Sequence, residues 1–474
     1  MGTGVVFPSA CNRISTKSTR SILPKLWAPP PATPGTRETT PLPERTSLSH
    51  NTLKVLDEQS SNSEPGPTPD TLPIARPARS LYIHIPFCFH KCHYCDFYSI
   101  VDQQDRAAEF TQCLCKEIAA SAPWARSQTR QIPLNSIFVG GGTPTLLPPN
   151  LWKILLKALH AAFDLSQMGP NAQGEFSVEC NPETATPELM QTLAQGGVNR
   201  LSIGAQSFNQ KHLKALERWH DPANVARTIA LANAAGIMRT SLDLIYAIPG
   251  QSIADAISDI DTAANLGVEH ISAYSLTYEP GTALTARRAR GELTPIDEDT
   301  DAAMMQAVAH RLKTLGYRRY ETSNFALPGA ECRHNLTYWH QRDWIAVGPS
   351  ASAHLAGHRW KNIPRLATYL SALGSDQPCP VRDLERPNQR RALAERIMTG
   401  LRLSDGLDAA SILASASRID PDLPAVLITK IKSLRFDRLL KDHGPRRLDR
   451  WILTQQGTML ADGIAADLMA LVDP

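Results

Sequence analysis

Three cysteines, Cys88, Cys92 and Cys95, are the side chains of this sequence whose spacing is most specific for chemistry. They follow a C-x3-C-x2-C pattern in one short loop, directly after a β-rich run at residues 81–85. Zinc and iron both accept thiolate ligands. The loop is therefore a candidate metal site at the end of a strand.

The identity of the metal depends on how many ligands the loop supplies. A structural zinc site takes four ligands, usually as two separated pairs. The sequence has no second C-x2-C pair, although three nearby histidines are able to supply a fourth ligand: His84, His90 and His93. An ordinary ferredoxin cluster uses four thiolates. A 4Fe–4S cluster held by three leaves one iron open for a small chelating molecule, and the amine and carboxylate of an α-amino acid suit that iron.

The chain around this loop alternates between strand and helix patterns. The β-rich runs lie at residues 81–85, 136–139, 176–179, 200–204, 241–246 and 270–276. The helical patterns lie near residues 103–120, 149–164, 187–196, 221–235 and 252–266. This alternation predicts a parallel sheet, open or closed into a barrel, whose ligands gather at the carboxyl ends of the strands.

Glycines and polar residues occur at the predicted strand ends. Residues 140–143 end one strand with three glycines, which either allow backbone N–H groups to approach a ligand or form a tight turn. No lysine follows, so this is not a phosphate-binding P-loop. Glu179, Gln206 and Asp243 lie at or just after apolar strands, where a buried polar group needs a partner. The residues alone leave open whether that partner is a ligand or the backbone.

The two ends of the chain differ from its centre. Residues 1–78 are rich in proline, serine and threonine and lack sustained periodicity, which predicts a disordered extension. Its first acidic residue is Glu38, a bias that resembles an organelle transit peptide; the alternatives are a disordered bacterial extension or a start codon placed too far upstream. After about residue 385, helices near 387–402 and 456–471 flank a basic turn at 443–448 and a β-like run at 451–454. These patterns predict a small winged-helix-like unit.

Composition excludes several classes of protein. The net charge of +3 gives no reason to expect nucleic acid or an anionic membrane as a partner. No apolar run approaches the ~20 residues that span a bilayer. The nine cysteines are odd in number and scattered, which favours a reducing compartment over a disulfide framework.

The cysteine loop resembles the signature of the radical S-adenosylmethionine superfamily, in which the open iron of the cluster binds S-adenosylmethionine. Further landmarks are similar to the branch that contains oxygen-independent coproporphyrinogen III oxidase and the HemW family of heme chaperones: residues 82–98, 140–144, 179–182, 201–208, 243–250, 278–282, 320–325 and 332–339. The resemblance implies these S-adenosylmethionine contacts: Tyr82, Tyr94, Gly141, Gly142, Thr143, Glu179, Gln206, Arg218 and Asp243. Thr277 aligns with a further contact whose residue type is less constrained.

Two features separate the oxidase from the chaperone. The oxidase has an additional cysteine two residues after the third, and this chain has Phe97 there. The HemW branch has H-N-x-x-Y-W, which is found here at residues 334–339. The resemblance implies heme binding, with His334 or Cys332 as candidate ligands and Tyr338 and Trp339 as further contacts. Imidazole suits heme iron, and aromatic rings suit the face of the macrocycle.

The predicted fold is α/β. It consists of a partial (β/α)6 radical S-adenosylmethionine barrel with the cluster loop over residues 79–325, a connecting region with the H-N-x-x-Y-W motif over 326–385, and a small winged-helix-like C-terminal domain over 386–474. The predicted partner is heme, together with an acceptor protein such as a respiratory hemoprotein. No catalytic residue is assigned, because a carrier is favoured over an enzyme.

Two alternative functions remain open. One is oxidative decarboxylation of coproporphyrinogen III by a 5′-deoxyadenosyl radical, and the other is a radical enzyme with a different substrate. The cytoplasm is the expected location, with the mitochondrial matrix as the alternative if residues 1–78 are a transit peptide.

Overall fold

The computed structural model describes residues 63–127, 130–170, 172–441 and 450–473. Most of the predicted extension, residues 1–62, and the basic turn at 443–448 lie outside the described residues. The described chain has a mixed α/β fold with a large central sheet, followed by a helical C-terminal region.

The strands and helices of the described residues have the following bounds. The strands are β1 (Glu64–Pro65), β2 (Ser80–Ile85), β3 (Ser136–Gly141), β4 (Glu175–Cys180), β5 (Arg200–Gln206), β6 (Arg239–Tyr246), β7 (His270–Ser275), β8 (Arg318–Arg319), β9 (Asn324–Ala326), β10 (Ile345–Val347), β11 (Ser352–Leu355), β12 (His358–Asn362), β13 (Pro380–Glu385), β14 (Leu407–Asp408) and β15 (Arg450–Trp451). The helices are α1 (Ala107–Ser121), α2 (Pro149–Ala162), α3 (Pro187–Gln195), α4 (Gln210–Ala215), α5 (Ala223–Ala234), α6 (Ile253–Asn265), α7 (Ala283–Ala289), α8 (Glu298–Thr314), α9 (Arg333–Trp339), α10 (Leu366–Gly374), α11 (Gln389–Arg402), α12 (Ala409–Ile419), α13 (Leu423–Phe436), α14 (Gln455–Met459) and α15 (Ala461–Val472).

The central sheet has the strand order β10-β2-β3-β4-β5-β6-β7-β9-β8. Strands β2 to β7 are parallel and follow one another in chain order, with helices between them. Every residue of β2 and β3 is buried, as expected for a parallel sheet covered on both faces. The predicted partial (β/α)6 barrel is confirmed.

The connecting region adds strands that local patterns did not predict. Strand β10 pairs in parallel with β2, so that Ile345 lies opposite Leu81 and the central sheet gains a seventh parallel strand. Strands β11, β12 and β13 form a second, antiparallel sheet together with β1. Before these strands along the chain, α9 contains the H-N-x-x-Y-W motif.

Residues 63–78 belong to the folded chain, although the sequence predicts them to be part of a disordered extension. Strand β1 pairs with β13, and Leu72 is buried. The indole of Trp124 donates a hydrogen bond to the carbonyl of Leu72 at 3.0 Å, and the N–H of Ala78 donates to the carbonyl of Trp124 at 2.9 Å. These contacts hold the segment because they satisfy polar groups that burial would otherwise leave unpaired.

The C-terminal region consists of helices α11 to α15 with the small antiparallel pair of β14 and β15. The predicted last helix is divided at Leu460 into α14 and α15, since Leu460 ends the first of these helices. Among the described residues, no helix has both the length and the apolar character needed to cross a membrane.

Candidate cofactor site at the carboxyl ends of the strands

The cysteine loop leaves the carboxyl end of β2 and is fixed at its base. The N–H of Cys88 donates to the carbonyl of Ile100, and the N–H of Ile100 donates to the carbonyl of Pro86, both at 2.8 Å. Phe87 packs edge-on against Phe110 of α1, with ring centroids 5.1 Å apart. The loop is therefore closed at both ends by backbone pairing, and its cysteines lie in the part between.

All three cysteines line one cavity inside the barrel. The Sγ of Cys88 lies 3.5 Å from the hydroxyl of Thr143, and a guanidinium nitrogen of Arg218 lies 3.8 Å from the Sγ of Cys92. The N–H of Cys95 donates to the carbonyl of Cys92 at 3.1 Å, which forms a turn between the second and third cysteine. The predicted cluster ligands are thus gathered at one place, beside a cation.

Burial governs the protonation of these thiols. It raises the pKa of Cys88, and it raises the pKa of Cys95 to about 12. A metal centre that binds thiolates must therefore displace protons from these groups. Within the described part of the chain, no three or more His, Cys, Asp or Glu side chains are arranged to hold a metal ion. The same finding covers the three cysteines of the loop, so it favours neither zinc nor an iron–sulfur cluster.

The glycines at the carboxyl end of β3 are required by the packing of the protein itself. Gly141 has φ +114°, and a Cβ atom there would lie 2.5 Å from the ring of His84. A Cβ atom on Gly142 would lie 2.6 Å from the carbonyl oxygen of Phe87. A side chain at Gly141 would displace the His84 ring of β2, and one at Gly142 would displace the base of the cysteine loop. The N–H of Gly141 also donates to the carboxylate of Glu179 at 3.0 Å.

Three polar side chains face the cavity from β5, β6 and the segment after α4. Gln206 ends β5 at a β-bulge with φ +62°, an uncommon conformation for a residue with a side chain. Asp243 accepts a hydrogen bond from Ser202 at 3.2 Å, and burial raises its pKa. Burial lowers the pKa of Arg218, but nearby Tyr94 and Cys92 outweigh this effect and raise it. The end of the cavity near the cysteine loop therefore offers a fixed cation and several hydrogen-bonding groups.

Most of the predicted S-adenosylmethionine contacts meet at this cavity. Those that line it are Tyr94, Gly141, Gly142, Thr143, Glu179, Gln206, Arg218 and Asp243. Tyr82 is not among the lining residues, since it is buried with its hydroxyl 3.0 Å from Nδ1 of His84. Thr277 is likewise not among them, and its hydroxyl donates to the carbonyl of Ser275 at 3.3 Å.

The H-N-x-x-Y-W motif lies at the opposite end of the strands. His334 is completely buried, with Nδ1 2.9 Å from the hydroxyl of Ser136 and Nε2 2.7 Å from the hydroxyl of Tyr338. Burial lowers its pKa to about 3, so the ring is neutral at physiological pH. Because both nitrogens have hydrogen-bond partners, this arrangement presents neither of them to a heme iron.

The other predicted heme contacts belong to the same buried layer. Cys332 donates a hydrogen bond to Glu175 at 3.1 Å, and burial raises its pKa to about 12. Tyr338 packs edge-on against Trp344 with ring centroids 4.7 Å apart. Trp339 is 6% exposed. Of the four predicted contacts, Cys332 lines the barrel cavity, and the other three are not among its lining residues.

Comparisons with known proteins decide the family. A Radical SAM superfamily domain is matched over residues 82–263. The heme chaperone HemW of Mycobacterium tuberculosis is 35% identical over 401 residues, which cover 85% of this chain and 97% of that protein.

The chain belongs to the HemW family of the radical S-adenosylmethionine superfamily.

Two further proteins place this HemW family member in context. A Danio rerio protein named radical S-adenosyl methionine domain-containing protein 1, mitochondrial, is 31% identical over 345 residues, covering 71% of this chain and 76% of that protein. The solved structure of coproporphyrinogen III oxidase (HemN) from Escherichia coli, described as a radical SAM enzyme, superposes with a TM-score of 0.70 at 21% identity, covering 83% of this chain and 90% of that one. That likeness shows the shared fold.

Several residues of this HemW family member line the cavity without having been predicted. At the cysteine end this is Trp219, whose ring stacks on that of His90 at 4.6 Å, and at the far end they are Arg200, His270 and Asn335. Arg200 begins a predicted strand and His270 begins another, so their position was visible in the sequence. That their side chains point into the barrel depends on strand pairing and twist, which local patterns do not contain.

Proposed function

We propose that this chain is a heme chaperone that binds heme and passes it to an acceptor protein, with a 4Fe–4S cluster held by Cys88, Cys92 and Cys95. The observation that supports this most directly is that the three cysteines line one cavity with eight of the predicted S-adenosylmethionine contacts. Membership of the HemW family supports the heme-carrying part of the proposal.

The residues present suit a cluster with bound S-adenosylmethionine. Three thiols leave one iron of a 4Fe–4S cluster without a protein ligand. Arg218 places a positive charge beside Cys92, which compensates the negative charge of thiolates. A cluster held there would offer one iron for chelation by the amine and carboxylate of S-adenosylmethionine. Tyr94, Gln206 and Asp243 then offer hydrogen-bonding groups around the rest of that molecule.

Heme contact through His334 and Cys332 requires the motif helix to move. In the structure these side chains are 0% and 1% exposed, so a macrocycle cannot reach them while α9 is in place. We propose that α9 separates from the amino ends of β2, β3 and β4 when heme binds there. The hydrogen bond between His334 and Ser136 of β3 is one of the contacts that this movement breaks.

A heme titration tests the function. We expect anaerobically reconstituted protein to bind heme with a shift of the Soret band, and His334→Ala or Cys332→Ala to weaken the binding. His310→Ala, an exposed histidine on α8, is the matched control. No Soret shift in the wild type contradicts the chaperone proposal. Equal binding by the variants removes the motif from the heme site.

A second assay separates the chaperone from the oxidase. Phe97 lines the cavity beside the cluster ligands where the oxidase has a cysteine. We therefore expect no protoporphyrinogen from coproporphyrinogen III under anaerobic conditions with S-adenosylmethionine and a reductant. Formation of that product overturns the preference for a carrier. Cleavage of S-adenosylmethionine that depends on a molecule other than a porphyrin identifies a radical enzyme with a different substrate.

Heme delivery and location complete the proposal. The acceptor is a heme-requiring protein, for which a respiratory hemoprotein is the first candidate, and transfer is measured by mixing heme-loaded protein with the heme-free acceptor.

We propose a cytoplasmic location. A fluorescent protein fused behind residues 1–78 tests it, since mitochondrial import of the fusion favours the transit-peptide alternative.

A further inference from the structure

The barrel cavity extends well beyond the positions assigned to the cofactor. Gln206 at the carboxyl end of β5 and Arg200 at its amino end both line it. The cavity therefore follows the whole of this strand, a length of roughly 20 Å at the usual rise per residue. The predicted cofactor contacts occupy the upper part, near the cysteine loop. The lower end, between Arg200 and α9, has no assigned ligand.

Arg200 is a buried cation with an incomplete set of partners. Its side chain is 2% exposed, and one terminal nitrogen donates to the hydroxyl of Ser177 at 3.2 Å. Its Nε has no hydrogen-bond partner, and no carboxylate of the described residues forms a salt bridge with it. A buried guanidinium with an unpaired N–H group is costly, so a partner from outside the chain is favoured.

The nearest acidic side chains are already engaged. Glu175 accepts hydrogen bonds from Cys332 and from the N–H of Arg333, and its carboxylate lies 3.6 Å from Arg239. Asp243 accepts from Ser202. Both carboxylates raise the pKa of the Arg200 guanidinium from a distance, and neither forms a salt bridge with it.

Asn335 provides a second incomplete group at the same end of the cavity. It is 4% exposed and lines the cavity from α9, and its Oδ1 has no hydrogen-bond partner among the described residues. His270, which also lines this end, has both ring nitrogens engaged, with Ser241 at 2.7 Å and Tyr320 at 2.9 Å. The lower end therefore offers one cationic donor and one neutral acceptor.

We propose that the lower end of the cavity binds a carboxylate group of a ligand, with Arg200 as the anion-binding side chain and Asn335 accepting from an N–H or O–H group beside that carboxylate. A guanidinium pairs with a carboxylate through two parallel hydrogen bonds, which suits a donor that has an unused Nε. This subsite goes beyond the proposed function and does not depend on heme.

Binding of propionate to the full-length protein tests the subsite. We expect calorimetry to detect binding of propionate by the wild type. Propionamide, the neutral amide of propionate, should show no binding. Arg200→Lys keeps the charge but loses the forked geometry, so binding should weaken roughly tenfold. Arg106→Lys is the matched control, because Arg106 pairs with Asp102 at 2.7 Å and is not among the residues that line the cavity. Absence of propionate binding, or equal binding by Arg200→Lys, overturns the proposal.

A second variant guards against a folding defect. Asn335→Asp adds a negative charge at the same end of the cavity and should weaken propionate binding at least as much as Arg200→Lys does. Circular dichroism and the thermal midpoint without propionate verify that each variant is folded. Unchanged propionate affinity in a folded Asn335→Asp protein contradicts the proposal.

The source of the carboxylate is distinguished by a porphyrin pair. If the subsite receives a heme propionate, the wild type should bind heme more tightly than heme dimethyl ester, and Arg200→Lys should abolish that preference. Equal binding of heme and its ester, together with propionate binding that depends on Arg200, identifies a separate small carboxylic acid as the ligand. The propionate titration alone decides the subsite, so its failure is distinguishable from failure of heme binding.

Discussion

Arg218 connects the cysteine loop to the sheet through three separate contacts. Its guanidinium lies 3.8 Å from the Sγ of Cys92, donates to the carbonyl of Gly204 at 3.0 Å, and donates to Nδ1 of His220 at 3.1 Å. Burial lowers the pKa of His220 to about 4, so that ring is neutral and able to accept. The cation is therefore fixed where it favours thiolate over thiol at the cluster ligands.

Replacing one cluster ligand should remove the cluster. We expect Cys92→Ser to bind far less iron than the wild type and to lose the absorption shoulder near ~400 nm that is typical of such clusters. Cys115→Ser is the control, because Cys115 lies on α1, outside the residues that line the cavity. Iron content and spectra are measured after anaerobic reconstitution, and full iron retention in Cys92→Ser argues against the assignment.

His334 should make stability depend on pH below neutrality. Its pKa is lowered to about 3 by burial, from about 6.5 in an unfolded chain. The unfolded state therefore takes up a proton as the pH falls below 6.5 while the folded state does not. The stability that neutral His334 contributes is complete above pH 6.5 and declines by about 1.4 kcal/mol per pH unit toward pH 3.

A variant that cannot titrate isolates this contribution from other groups. The difference in unfolding free energy between the wild type and His334→Gln should shrink as the pH is lowered from 7 to 5, measured by urea denaturation. The exposed residue His310, changed to Gln, should show no such trend. A wild-type advantage over His334→Gln that stays constant with pH contradicts the neutral, buried assignment.

Helix α9 closes the amino end of the barrel through polar contacts with the first residues of three strands. Ser80 begins β2, Ser136 begins β3 and Glu175 begins β4. Thr337 pairs with Ser80 at 3.1 Å, while the N–H groups of Arg333 and His334 donate to Glu175 at 2.9 and 3.3 Å. The sequence motif thus forms an element that seals one end of the cavity.

Glu175→Gln should loosen this helix. Burial raises the pKa of Glu175, but Arg200 and Arg239 outweigh that effect, so its pKa is lowered and the carboxylate is charged. The amide loses the charge and turns a donor toward the N–H groups of α9, which should cost roughly 2–4 kcal/mol. Urea denaturation measures the loss, and hydrogen exchange should be faster in α9.

The control for this substitution is an exposed carboxylate. Glu188→Gln on α3 changes a 70% exposed side chain that lies 3.6 Å from Lys153, and it should change stability by less than ~0.5 kcal/mol. Equal stability of the wild type and Glu175→Gln, or unchanged exchange in α9, would show that this contact does not hold the helix.

At the scale of the whole molecule, the parts predicted from sequence are those that local patterns determine. The cysteine loop and the six parallel strands follow from spacing and apolar runs within a few residues. Strand β10 is three residues long and is defined by its pairing with β2, which is distant in sequence. The burial of His334 likewise depends on where α9 packs. Neither pairing nor packing leaves a local signature, so both required the structure.

The segment at residues 63–78 gives the last prediction. A chain that begins at residue 79 lacks the buried side chain of Leu72 and leaves the indole N–H of Trp124 without its acceptor. It should be less stable than a chain that begins at residue 63 by roughly 4 kcal/mol, from one buried leucine and the two lost hydrogen bonds with Trp124. Leu72→Ala in the longer chain should show part of this loss. Urea midpoints measure all three proteins, and equal midpoints for the two truncations would show that strand β1 and Leu72 add nothing to the fold.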